Sequence, residues 1–66
     1  MKIEYDKLTD MAYIYLKDEI GRGEAKHSQE CTTSRRRVVL DFDAQHRLIG
    51  IEVFDAAATL PAELLK

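Results

Sequence analysis

Asp41 and Asp43 stand two residues apart, and Glu52 follows on what reads as the neighbouring strand. Residues at i and i+2 of a strand share a face, so these carboxylates could offer oxygen ligands to Mg²⁺ or Ca²⁺ and serve an acidic, divalent-metal-dependent enzyme. The strand register inferred below sets Val39, not an aspartate, across from Glu52, which leaves the third carboxylate badly placed. The plainer reading is solvated charge on an exposed face, with Asp43 tying a turn. No metal ligand is assigned.

Arg35-Arg36-Arg37 is the one strong charge run. Alternation along a strand sends Arg35 and Arg37 to one face and Arg36 to the other, so the three form no flat patch unless the first stays in a turn. Arg37 would lie diagonal to Glu52 and pair with it for a few tenths of a kcal/mol. The run reads as a solvated edge that blocks strand addition. Its functional alternative is contact with phosphate or an acidic partner. Arg35, Arg36 and Arg37 are therefore the candidates for a charged partner. Aromatic residues do not interleave with the basic ones as single-strand binders require, so nucleic acid is not an expected partner.

His27 and His46 lie far apart in sequence and Cys31 is the single cysteine, which is not the spacing of a zinc site. A catalytic thiol needs a base, and His27 need not adjoin Cys31, so Cys31 reads as structural. Ser28 and Ser34 lack the context of a nucleophile elbow, and no Gly-rich phosphate loop is present. No catalytic or cofactor-binding residue is assigned, and the expectation is a protein that is not an enzyme.

Sixty-six residues with a net charge of −2 and 33% charged side chains make one domain near the lower limit for independent folding. Ordering the chain costs on the order of 100 kcal/mol, at about 1.5 kcal/mol per residue. Burying a second sheet face in a subunit contact would help offset that cost. The charge balance gives no drive toward nucleic acid or acidic membranes. A lone cysteine, no apolar run of about 20 residues and no basic-then-apolar amino terminus make a cytoplasmic protein the expectation.

The elements that must carry these residues are β-hairpins. Residues 1–17 and 38–54 superpose with an offset of roughly 37, pairing Ile3 with Leu40, Tyr5 with Phe42, Met11 with Leu48, Ile14 with Ile51 and Leu16 with Val53. In the first hairpin a four-residue loop, Lys7 to Asp10, sets Tyr5 opposite Ala12 and Ile3 opposite Ile14. In the second, the loop Ala44 to Arg47 sets Phe42 opposite Ile49, Leu40 opposite Ile51 and Val38 opposite Val53. Facing residues share a side of the sheet, so each hairpin gains one apolar face.

The expected strands are Lys2–Asp6, Met11–Lys17, Arg36–Asp43 and Arg47–Phe54, with a polar fifth strand within Glu24–Ser34 bridging the hairpins. Asp55 is placed to cap a helical turn at Ala56–Leu60 through its carboxylate. Pro61 can open a second turn through Leu65, and Leu60 and Leu64 would cover the sheet. The fold class is α+β, an antiparallel sheet of four to five strands with a short C-terminal helix.

Parity sends Met11, Tyr13, Tyr15, Val39, Leu48 and Phe54 to the second face, beside Glu4, Asp41 and Glu52. Clustered large side chains on one sheet face mark a contact. Tyr13, Tyr15, Val39, Leu48 and Phe54 are accordingly the candidates for a homodimer interface, unless the C-terminal helix covers this face.

Three stretches carry a resemblance: Met1-Lys2-Ile3-Glu4-Tyr5-Asp6 followed by Asp10, Ala12-Tyr13-Ile14 and Leu16; Val39-Leu40-Asp41-Phe42-Asp43; and Leu48-Ile49-Gly50-Ile51-Glu52-Val53 with Asp55-Ala56. Together they resemble a family of small, mainly bacterial proteins, domain of unknown function 2283. The resemblance implies a compact antiparallel sheet with a short C-terminal helix and no activity to transfer to any residue. It also implies Gly in two turns where this chain has Arg35–Arg37 and Ala44–Arg47. Such families resemble partners in two-gene toxin–antitoxin modules, which gives an alternative: an antitoxin-like protein that binds and neutralises a cognate protein through the apolar face or the arginines.

Overall fold

The chain forms five strands, rich in β-branched and aromatic residues in all but the third: β1 (Lys2–Asp6), β2 (Met11–Tyr15), β3 (His27–Thr32), β4 (Arg37–Phe42) and β5 (Leu48–Phe54). A one-turn helix, α1 (Ala56–Thr59), and a 3₁₀ turn at Ala62–Leu64 follow. The computed structural model describes residues 1–65. The strands make one antiparallel sheet in the order β1-β2-β5-β4-β3. The α+β expectation stands, with five strands.

The first hairpin has the expected register, Ile3 facing Ile14 and Tyr5 facing Ala12. The second departs from it at the turn. His46 takes a left-handed conformation, φ 61°, and the N–H of Asp43 donates to the carbonyl of Arg47 at 2.9 Å. The loop therefore closes on three residues, Ala44 to His46, a common hairpin solution that ends in a left-handed residue. The register near the turn is consequently one residue out of step with the rest. A bulge after Asp41 restores it: Asp41 faces Gly50, Phe42 faces Leu48, and Ile49 is the extra residue.

The polar strand does not lie between the hairpins. β2 and β5 join them directly, Ala12 facing Val53 and Ile14 facing Ile51, while β3 adds to the outside of β4. All six β3 residues are exposed, so polar side chains on both faces cost nothing there. The apolar β2 and β5 take the sheltered centre for the opposite reason.

The tail crosses one face only. Ala12, Val53 and Ala56 are buried, with Ile3, Tyr5, Ile14, Val38, Ile51, Leu60 and Leu65 packed around them. Asp55 occupies the N-cap position, but its side chain makes no capping bond. The cap comes from Asp10 in the first turn: its carbonyl accepts from Ala56 N–H at 2.9 Å, and its Oδ1 accepts from Ala57 N–H at 3.0 Å. The same Oδ1 accepts from the Tyr5 hydroxyl at 2.8 Å. One carboxylate thus satisfies helix donors that Asp55, at φ 51°, turns away from.

Candidate interaction surfaces

The face opposite the tail carries Tyr13, Tyr15, Val39 and Phe54 as expected, all half-buried. Leu48 does not join them. The bulge sets it across from Phe42, which assigns it to the tail side, where it is 38% exposed.

The aromatic rings of the outer face are held by neighbours within the sheet. The Tyr13 ring lies across β5 above Gly50, and its hydroxyl donates to Asp41 Oδ2 on β4 at 2.8 Å. Ser28 on β3 donates to the other oxygen of the same carboxylate at 2.8 Å. Four strands are therefore spanned by one chain of contacts. The Tyr15 hydroxyl donates to Glu4 at 2.6 Å, its ring meets Tyr13 edge-on at 4.8 Å, and Lys2 stands 4.4 Å above it. Phe54 lies 4.0 Å beneath the Arg37 guanidinium. Each contact hides part of an apolar ring beneath a polar or aromatic partner.

Burial and the bond to Asp41 raise the Tyr13 phenol well above its ordinary value. The bond to Asp10 raises Tyr5, and the bond to Glu4 raises Tyr15. In each case ionisation would place a phenolate against a carboxylate.

The three carboxylates read as possible metal ligands are not brought together. Asp41 faces Gly50 and Glu52 faces Val39, with the Leu40–Ile51 rung between them. Asp43 is buried in the turn at 6% exposure. There it accepts from the N–H groups of Gln45 and Arg47 at 2.9 Å and from Arg47 Nε at 2.9 Å. Those donors, the Arg47 N–H foremost, lower its pKa. Among the described residues no group of three metal-ligating side chains converges.

The arginine run divides as its position in the turn dictates. Arg35 and Arg36 sit between β3 and β4, their N–H groups donating to Thr33 Oγ1 at 3.2 and 3.0 Å. Only Arg37 enters a strand, and its partner is Glu30 on β3, at 3.1 Å, instead of Glu52. Bonds from Thr32 and then Arg37 lower the Glu30 pKa. The run therefore does not guard a sheet edge.

The tail-side face is covered at one end. Beyond the Ala12–Val53 rung run a further row, Ile3–Ile14–Ile51–Leu40, then the Phe42–Leu48 pair and Leu16, whose N–H donates to the carbonyl of buried Ile49 at 2.9 Å. Leu16 is 40% exposed and Leu40 and Phe42 are half-buried. No Lys, Arg, Asp or Glu stands among these residues; the polar members are Gln29 and His27, at the β3 edge. His27 stacks on His46 from the hairpin turn, centroids 4.4 Å apart and planes 14° from parallel.

Two features had no clear signal in the residue pattern. A glycine inside a strand marks a close approach, and Gly50 could have been matched to Tyr13 on that ground. The Asp10 cap depends on contacts 47 residues apart, which local spacing does not reveal.

No helix among the described residues is long and apolar enough to cross a membrane. Comparison with curated proteins and with solved structures gives no match. A family model described as "Protein of unknown function (DUF2283)" matches residues 2–56, and the chain belongs to that family.

Proposed function

We propose that this chain is a non-enzymatic protein-interaction domain that works as a homodimer through the uncovered part of its tail-side face. The observation that carries the reading is the stretch of Leu16, Leu40, Phe42 and Leu48, partly exposed, with no charged residue facing Leu40, Phe42 or Leu48 across the strands. A compact monomer of 7.6 kDa exposes about 4300 Å², against 4862 Å² here. The excess of several hundred square ångströms is of the order of one partner's share in a standard interface, about 800 Å².

The outer face is the weaker candidate for self-pairing. It carries Glu4, Glu30, Asp41 and Glu52 against Lys2 and Arg37, so a twofold contact would bring like charges together. Its rings already have partners.

Mass measured in solution at micromolar concentration tests the reading, with a dimer expected. Leu16→Glu and Leu48→Lys replace side chains that the single chain already leaves exposed, so each should yield a folded monomer. A wild-type protein that is monomeric throughout overturns the proposal.

A further inference from the structure

Strand β3 leaves a row of backbone groups turned away from the sheet. Thr33 N–H bonds to Arg36 C=O at 2.8 Å, and facing residues of an antiparallel pair alternate between bonded and unbonded. Counting back along the register, Cys31, Gln29 and His27 bond to β4, and the N–H and C=O groups of Ser28, Glu30 and Thr32 point outward. The one contact to them is a long one, 3.4 Å, from the Gln29 amide to the Glu30 carbonyl.

Proteins blunt such edges with lysine, proline, bulges or short strands. β3 has no lysine or proline, and its register runs from His27 to Thr32 without a shift. The side chains above the row are drawn inward: Ser28 to Asp41, Glu30 to Arg37, and Thr32 to Glu30. The arginines that would have repelled a second strand sit in the turn instead.

We infer that β3 is a strand-addition site whose occupant is β3 of a second copy, antiparallel and with its twofold axis at Gln29. Outward groups must meet outward groups, so the axis can pass through Gln29, Glu30 or Cys31. At Glu30 two carboxylates face each other. At Cys31 only Glu30 to Thr32 of the two strands overlap, because the chain turns back onto β4 at Thr33 and Arg36. At Gln29, Glu30 faces Ser28, and the overlap runs from His27 to Cys31. That register alone combines the longer overlap with no carboxylate directly facing another, and it yields about four backbone hydrogen bonds. This contact goes beyond the face pairing proposed above and uses different residues, so the two are separable.

The test is cysteine crosslinking of the intact protein under mild oxidation. In the double variant Gln29→Cys/Cys31→Ser, the new thiols meet at an unbonded facing pair with Cα atoms about 4.5 Å apart, within disulfide reach. It should crosslink at least about tenfold faster than Leu8→Cys/Cys31→Ser, whose thiol is exposed but lies off the edge. Adding Glu30→Pro removes an outward N–H and no bond to β4, so it should abolish the advantage with the circular dichroism spectrum unchanged. Adding Leu48→Lys, which disrupts only the face contact, should leave the advantage in place. Equal rates for the Gln29 and Leu8 variants overturn the proposal. So does wild-type Cys31 crosslinking as fast as the Gln29 variant, which would move the axis.

Discussion

Ile14 faces Ile51 across β2 and β5, and the two are also the same position in the two copies of the hairpin. A local twofold axis therefore passes between them, normal to the sheet. The same operation carries Tyr13 onto Gly50. The two halves are not equal there, because the Tyr13 ring lies over Gly50 and fills the space that both positions would claim.

Gly50→Ala should therefore cost about 2 kcal/mol, since a Cβ at that position falls inside contact distance of the Tyr13 ring, whose hydroxyl is anchored to Asp41. Combining it with Tyr13→Val should recover most of that loss. Urea denaturation of the two single variants and the double gives the coupling energy, and additive losses would contradict the packing described.

Asp10→Gly keeps the left-handed backbone but removes the acceptor shared by Tyr5 and Ala57. A loss of about 1–2 kcal/mol is expected. Asp55→Gly removes no capping bond and should be neutral or slightly stabilising. Thermal melts of the pair distinguish which aspartate caps α1.

The fold was legible where period-2 patterning sets the answer. Ile3, Tyr5, Leu40 and Ile51 take the facing partners that alternation requires, because a slip would turn each apolar face to water. The second turn was not legible, because four loop residues and three loop residues plus a bulge both preserve the pairing of Leu40 with Ile51. What decides between them is how Asp43 satisfies its carboxylate. That choice moved Leu48 to the other face and with it part of the candidate interface. Arg35 to Arg37 misled for a related reason: Thr33 ties the first two into the turn, so alternation never applies to them.

His46→Gly should stabilise the protein by about 0.5 kcal/mol, because glycine takes the left-handed conformation without the Cβ penalty. The gain is reduced by the loss of the stack on His27. Chemical denaturation measures it directly, and a net loss would mean that the stack outweighs the strain.

Tyr5, Tyr13 and Tyr15 are the only tyrosines, and all three have raised pKa values. Tyrosinate absorbance at about pH 10, where free tyrosine is half ionised, should be lower than that of the unfolded chain. A phenol whose folded pKa is raised contributes stability fully below its unfolded value and loses it as pH climbs through the folded one. Alkaline unfolding should thus begin above about pH 10 and be less steep in Tyr13→Phe.

Asp43 runs the other way. Its folded pKa is lowered, so its contribution is present above the unfolded value, about 4, and fades as acid carries the pH through the folded one. Glu30 and Glu24 are lowered as well, Glu24 first by Lys17. Stability should fall below about pH 4, and Asp43→Asn should flatten the fall in an acid titration followed by circular dichroism.

The clasp between Asp10 and the last helix sets an order of assembly. During synthesis the first hairpin can close as soon as it leaves the ribosome, yet the acceptor it presents waits until Ala57, 47 residues later, has emerged. A product cut short before Ala56 would keep every strand and still expose Ala12 and Val53, so the segment from Ala56 onward decides whether the core is closed.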